Sequence, residues 1–143
     1  MASDTLHPLI RKAIESSPIA TLIGFTIDKV GEGRAVGSLC PGPQHANPMG
    51  TLHGGVLCDL ADAAMGLAFA STLEADESFT TLDLQIHFFR PVWEARLRAE
   101  GRVIHRGKNA GYMECEIEDE SGKLVAKVNS RSLILRGDAA KGR

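Results

Sequence analysis

The chain has 143 residues, enough for one domain with a buried core and too few for two of ordinary size. Its formal net charge of -2 at pH 7 supplies no excess of Lys and Arg for a nucleic-acid backbone or an anionic bilayer, so neither is an expected partner. No run approaches the roughly 18 uninterrupted apolar residues that a membrane-spanning helix needs. The three cysteines, Cys40, Cys58 and Cys115, are odd in number and form no CxxC pair, which fits reduced, buried thiols. The opening segment "MASDTLHPLIRKAI" has neither the basic stretch nor the long apolar run of a secretory signal, and the expected location is the cytoplasm.

In chain order, Leu6, Leu9, Ile10, Ala13 and Ile14 recur at helical spacing and predict a short amphipathic helix over 4–17, which Pro18 helps to end. "FTIDKV" and "RAVGSLC" read as two strands joined by the turn "GEG" at Gly31 to Gly33. "PGPQHANPMGT" is loop by composition, and "HGGVLCDLADAAMG" then opens a helix expected to run to about Leu73. Extended runs follow at Thr80 to Phe89, Ala95 to His105, Ala110 to Asp119 and Leu124 to Leu135. Strict alternation would place Leu82, Leu84, Ile86 and Phe88 on one face, with Thr81, Asp83, Gln85 and His87 on the other. The tail, 137–143, is polar enough to fray, and nothing divides 1–143 into more than one domain.

A single long helix and an antiparallel sheet with one dry face should pack as two layers in an α+β arrangement. The helix is apolar on more than one side: Val56, Leu57, Leu60, Ala64 and Leu67 form one stripe, and Cys58, Met65 and Phe69 surround Asp62 on the other. A sheet curved around the helix would cover most of it, and a second copy of the chain would cover the rest.

The chemistry gathers at the start of this helix. If it begins near His53 or Gly54, its first N–H groups have no intrahelical partner and carry the positive end of the helix dipole. Gly54 and Gly55 lack side chains, so a substrate carbonyl can approach those amides closely enough for an oxyanion to be stabilised. Asp59 is accounted for by proximity to the helix N-terminus. Asp62 lies deeper among apolar neighbours, where an ionised carboxylate is costly without donors or a polar cavity, and this marks it as a candidate general base or nucleophile. Eight positions separate Gly54 from Asp62, about 12 Å of helix. One chain therefore does not bring both onto one carbonyl, and a homodimer with two shared sites is expected.

"NPMGTLHGGVLCDLADAAMG", Asn47 to Gly66, resembles the signature of hotdog-fold acyl-CoA thioesterases of the phenylacetate-degradation PaaI type, and the order of elements over about 18–136 fits that family. The resemblance implies a long helix wrapped by an antiparallel sheet, dimers sharing a continuous sheet, and tetramers built as dimers of dimers. It implies that the Gly54 amide polarises the thioester carbonyl and that Asp62 is nucleophile or general base. It further implies that Asn47 holds the attacking water or the thioester, that Thr81 assists from the side of the acid, and that His53 is the motif histidine with a mainly structural role. Coenzyme A is part of the substrate and product, so no separate cofactor is expected. Its phosphates need cations, for which Arg106 and Lys108 in the turn of "RVIHRGKNAG" are candidates, with Arg90 and Arg131 beside them.

Competing chemistries find less support. The five histidines lack the spacing of a helical zinc site, so no metal is expected, and there is no GxSxG elbow. Cys58 has no nearby base to activate it and reads as core. A second enzymatic reading is an acyl-thioester dehydratase or hydratase using His45 or His53 with Asp62, although no His-Phe-Pro sequence is present. A third is a non-catalytic acyl-CoA binding protein, against which the apolar setting of Asp62 argues.

Overall fold

The computed structural model describes residues 5–143, which form α1 (Pro8–Glu15), α2 (Pro18–Ile23), β1 (Thr26–Gly31), β2 (Arg34–Leu39), α3 (Gly54–Ala70), β3 (Ser78–Phe88), β4 (Leu97–Arg106), β5 (Ala110–Asp119) and β6 (Leu124–Leu135). The strands make one antiparallel six-stranded sheet in the order β1-β2-β4-β5-β6-β3. Because β2 lies near one edge and β3 is the opposite edge, the segment joining them has to cross the sheet. That segment is α3.

Small residues permit the crossing. Leu57, Leu60, Ala61, Ala64, Met65 and Phe69 of α3 are buried in one cluster with Leu39, Leu97, Ala99, Met113, Cys115, Ile117 and Val128 of the sheet. The sheet carries glycine where the helix comes closest. A Cβ on Gly101 would lie 2.7 Å from the backbone of Ala64, and one on Gly111 would collide with the Phe69 ring. Met65 and Phe69 are therefore core residues under the sheet, not members of the face around Asp62 as the helical-wheel reading has it. The less covered stripe of α3 holds Cys58, Asp59, Asp62, Ala63 and Gly66.

The β1–β2 hairpin turns as expected, with positive φ at both Glu32 (53°) and Gly33 (75°), the geometry whose twist matches paired strands. The Gly33 N–H donates to Ser71 Oγ at 2.8 Å, tying the turn to the end of α3. That end comes at Ala70, short of Leu73, where the Ser71 and Thr72 hydroxyls donate back to the carbonyls of Ala68 and Phe69 (2.7 Å each) and close the last turn.

Three further expectations are corrected. Of the helix placed at 4–17, Asp4 lies outside the described residues, and α1 ends before Pro18. Pro18 starts α2, since its fixed φ suits the first helical position, and Gly24 in the left-handed region (φ 94°) ends it. In β3 a bulge at Leu82 shifts the register against β6, so Thr81 pairs with Ser132 and Asp83 with Arg131. The extra residue reverses the alternation: Thr81 shares the inner face with Leu84 and Ile86, while Leu82 is exposed. In the tail, Gly137–Ala140 form a short 3-10 turn, with Lys141 paired to Asp138 at 2.6 Å.

A buried carboxylate secures the end of the sheet beside α1. Glu77 receives the Glu74 N–H (2.8 Å), Arg106 (3.0 Å) and Arg136 (2.7 Å). These donors, the Glu74 N–H first, hold its carboxyl below the usual carboxylate range. The buried His7 ring donates from Nε2 to the carbonyls of Glu74 and Glu77 (3.0 Å each) and accepts the Leu9 N–H on Nδ1, fastening α1 to the same corner.

The approach of α3 to the sheet yields a direct test. Gly101→Ala forces a methyl against the Ala64 backbone, and urea denaturation should register a loss of about 1–3 kcal/mol. An unchanged midpoint would mean that the helix is not held at this distance.

Candidate active site

The loop before α3 is rigid because its polar side chains bond to its own backbone. Asn47 Oδ1 accepts the N–H groups of Met49 (3.0 Å) and Thr51 (3.1 Å), and Nδ2 donates to Thr51 Oγ1 at 2.7 Å. The second Nδ2 hydrogen of Asn47 has no partner among the described residues. His45 is buried, accepting the Gly42 N–H on Nδ1 at 3.0 Å and donating from Nε2 to the Ile23 carbonyl at 2.5 Å, so it pins the loop to the end of α2. His53 caps α3, its Nδ1 accepting the Gly55 N–H at 3.0 Å.

This capping leaves one donor over. The Gly55 N–H is taken by the His53 ring and the Val56 N–H by the His53 carbonyl (3.0 Å), while the Gly54 N–H has no partner among the described residues. It lies in a depression of about 370 Å³ shared with Asn47, Leu57, Phe88, Phe89 and Arg90. The Phe88 ring rests on Gly54: a Cβ there would come 2.7 Å from Cζ, so a side chain at this position would push the exposed ring aside.

Asp62 occupies a different place. With Asp59 and Thr81 it opens into a cavity of about 810 Å³ between the uncovered stripe of α3, the inner face of β3 and the α1–α2 segment. Neither aspartate has a hydrogen-bond or ion-pair partner among the described residues. Asp62 remains open to solvent, yet the apolar walls around it push its carboxyl above the ordinary aspartate range, and the charge of Asp59 pushes it further the same way. The same burial and the same two carboxylates push the Cys58 thiol up, which makes it a poor nucleophile.

The residues singled out in the sequence thus divide into two groups. Gly54, Asn47 and Arg90 share one depression, Asp62 and Thr81 share the cavity, and neither set lines the other's space. Thr81 reaches the cavity through the bulge at Leu82, which strict alternation could not anticipate. Of the four candidate cations, Arg106 is bound to Glu77, and Arg131 is held by Asp83 (2.6 Å), whose carboxyl it draws below the usual range. Arg90 and Lys108 form no ion pair with a described residue. No group of three or more His, Cys, Asp or Glu among the described residues is arranged to hold a metal ion.

Asp59 needs a new account. No acidic residue lies in the first turn of α3, so the helix terminus does not explain it; it is a second carboxylate of the cavity. His45 and Glu77 are structural anchors that carry no local sequence signal, because each draws its meaning from partners distant along the chain.

Carbonyl-detected NMR titration of Asp62 should place its pKa above that of an unstructured aspartate. Asp59→Asn should bring it down, because the neighbouring negative charge is gone. No movement on that substitution would show that the two carboxylates do not sense each other.

Comparison with known proteins accords with this geometry. Residues 49–126 match the Thioesterase superfamily model. Acyl-coenzyme A thioesterase PaaI of Escherichia coli is 34% identical over 125 residues, covering 86% of this chain and 86% of that protein. The 1,4-dihydroxy-2-naphthoyl-CoA hydrolase of Listeria monocytogenes is 33% identical over 103 residues, covering 72% and 84%. The solved structure of the E. coli PaaI protein from the phenylacetic acid degradation operon superposes with a TM-score of 0.82 at 29% identity, covering 90% of this chain and 91% of that one. With a long helix laid across an antiparallel sheet and that superfamily match over more than half its length, the chain belongs to the thioesterase superfamily, as a hotdog-fold enzyme of the PaaI type.

Proposed function

We propose that the protein hydrolyses acyl-CoA thioesters to a free acid and coenzyme A, at two equivalent sites that each take residues from both subunits of a homodimer. The observation that carries this is the pairing of deficits: an unpartnered N–H on Gly54 in one space and an unpartnered carboxylate on Asp62 in another. Two α3 helices side by side and antiparallel would bring the Gly54 of one subunit to Asp62 of the partner subunit.

In that arrangement the Gly54 N–H holds the thioester oxygen, and its help grows as charge develops there. Asp62 acts as general base, taking a proton from water while the water oxygen attacks the carbonyl carbon, or as nucleophile, attacking that carbon itself. In the first case the tetrahedral intermediate breaks its C–S bond, and the departing thiolate receives the proton. In the second, the tetrahedral adduct expels CoA as its thiolate and leaves an acyl-aspartyl anhydride; water opens the anhydride to the free acid and the Asp62 carboxylate, and a proton of that water goes to the thiolate. The raised carboxyl of Asp62 suits either role, since a poorly solvated carboxylate is a stronger base. The uncommitted Asn47 hydrogen and the Thr81 hydroxyl serve as positioning groups, and His53 keeps the amides of α3 aimed.

Arg90 and Lys108 are the cations free to meet the phosphates of CoA, while Arg106 and Arg131 act chiefly through their carboxylate partners. The free edge of β3 suits strand pairing into a continuous sheet, and a dimer of dimers would follow from a second pair of faces. The reaction needs no metal or cofactor beyond the CoA of its substrate. No helix of the described residues is long and apolar enough to cross a membrane, and with three free cysteines we assign the protein to the cytoplasm. The names of its relatives favour aromatic acyl groups and a role beside phenylacetate breakdown. The dehydratase reading is disfavoured because His45 has both ring nitrogens engaged, His53 caps α3, and neither lines the cavity of Asp62.

Thiol release from a panel of short, aryl and long acyl-CoA esters tests this. Asp62→Asn should lower kcat by about 10²–10⁴-fold, and Gly54→Pro, which removes the N–H, by about 10²–10³-fold. Refolding the two variants together should restore up to about a quarter of wild-type activity, since half of the dimers are mixed and each holds one intact site. A mixture as inactive as its parts would contradict sharing. Binding without thiol release would favour the non-catalytic reading, and a change in enoyl absorbance without thiol release the hydratase.

A further inference from the structure

Among the described residues one buried side-chain polar atom is left without a hydrogen bond, the hydroxyl oxygen of Ser132. Ser132 lies on β6, where alternation with the exposed Arg131 and Leu133 turns it to the inner face, and it is 1% exposed. On the β5 side it pairs with Gly111, whose bare Cα the Phe69 ring overlies, and Phe69 packs edge to face on Phe79 with centroids 5.6 Å apart. A hydroxyl withdrawn from water without a partner is costly, and an alanine methyl would fill this place without that cost. The presence of serine asks for a partner that arrives from the other side.

On that side Ser132 pairs directly with Thr81 of β3. Opposed residues on one face of an antiparallel pair hold their Cβ atoms about 4.5–5.5 Å apart, near enough for two hydroxyls to bond. The Thr81 hydroxyl is itself without a partner among the described residues, and it opens into the cavity of Asp62, whose carboxylate also lacks one. Three unpartnered polar groups therefore run from the core to the cavity: Ser132, Thr81 and Asp62.

We propose that Ser132 is a positioning residue: its hydroxyl donates to Thr81 Oγ1 and so turns the Thr81 hydrogen to the Asp62 carboxylate. The inference rests on the thioesterase reading of Asp62. A threonine hydroxyl has one hydrogen and accepts on its lone pairs, so a donor from behind commits the oxygen and leaves the hydrogen for the cavity. That hydrogen steadies one carboxylate oxygen, and the other is left to take a proton or to attack. A donor to the ionised carboxylate favours that form, so breaking the chain of hydrogen bonds raises the Asp62 pKa and slows the reaction without weakening substrate binding. The titratable groups around Asp62 are Glu15 of α1 with Asp59 and Cys58 of α3, and substituting the neutral Ser132 and Thr81 leaves all three in place.

Carbonyl-detected NMR titration and steady-state kinetics of the wild type, Ser132→Ala, Thr81→Val and the double variant test this. Ser132→Ala should raise the Asp62 pKa by about half a unit. It should lower kcat about threefold to tenfold with KM unchanged. Thr81→Val should do at least as much, and adding Ser132→Ala to it should change nothing further, because the residue through which Ser132 acts is gone. Ser132→Cys, close in shape with a weak donor, should show the same changes in smaller measure and keeps the test open if the alanine variant does not fold. Additive effects in the double variant, or an Asp62 pKa and a kcat that Ser132→Ala leaves unmoved, would overturn the proposal.

A crystal structure of the wild type separates this from failure of the hydrolytic reading. The hydroxyl oxygens of Ser132 and Thr81 should lie about 2.5–3.0 Å apart. That spacing together with the pKa shift, but without thiol release from any ester, would sustain the positioning role and refute hydrolysis. A Ser132 hydroxyl bonded to a buried water instead of Thr81, or to nothing, would refute the role whatever the enzyme cleaves.

Discussion

The close contact between α3 and the concave face of the sheet is the constraint on which the other features depend. Gly101 meets the Ala64 backbone and Gly111 meets the Phe69 ring at separations that leave no room for a side chain. A helix held this near buries its small and aliphatic residues on one side, and the opposite stripe, with Asp59, Asp62, Ala63 and Gly66, is left for something else to cover. The α1–α2 segment covers it loosely and leaves a cavity. Had the helix stood further out, larger side chains would be needed to fill the gap, and the carboxylates would lose their fixed relation to the sheet.

The polar groups sort themselves by that same geometry. At its N-terminus α3 presents an unpaired amide beside an uncommitted Asn47 hydrogen, with Arg90 in the same depression. Halfway along, it presents carboxylates in a space that no Lys, Arg or His of the described residues lines. In the proposed dimer the two environments complement each other at one thioester, a donor for its oxygen and a carboxylate for its carbon. Elsewhere, Glu77 with Arg106 and Arg136, and Asp83 with Arg131, brace the sheet.

The order of elements and the entry of α3 at Gly54 were legible because both rest on local signals. Gly-Gly after His53 marks a helix entry with an exposed amide, and alternation marks the strands; β5 and β6 fall at the residues expected for them. What was not legible depends on contacts between distant residues. The bulge at Leu82 is a property of pairing with β6, and without it Thr81 would face away from the helix. Pro18 reads equally as the end of one helix and the start of the next, and the docking of His45 on Ile23 decides nothing locally. The burial of Met65 and Phe69 depends on which side of α3 meets the sheet, and a wheel diagram cannot choose it. Asp59 was misread for a related reason: its position relative to the helix start matters less than the cavity it opens into.

The central claim is that the amide of one subunit and the acid of the other meet on a single carbonyl. A crystal structure of Asp62→Asn bound to a non-hydrolysable acyl-CoA ketone tests it most directly. The ketone oxygen should lie about 2.7–3.1 Å from the Gly54 nitrogen of one subunit, with the side chain at position 62 of the other beside the carbonyl carbon. A ketone held by both positions of one chain, or bound away from Gly54 altogether, would contradict the account.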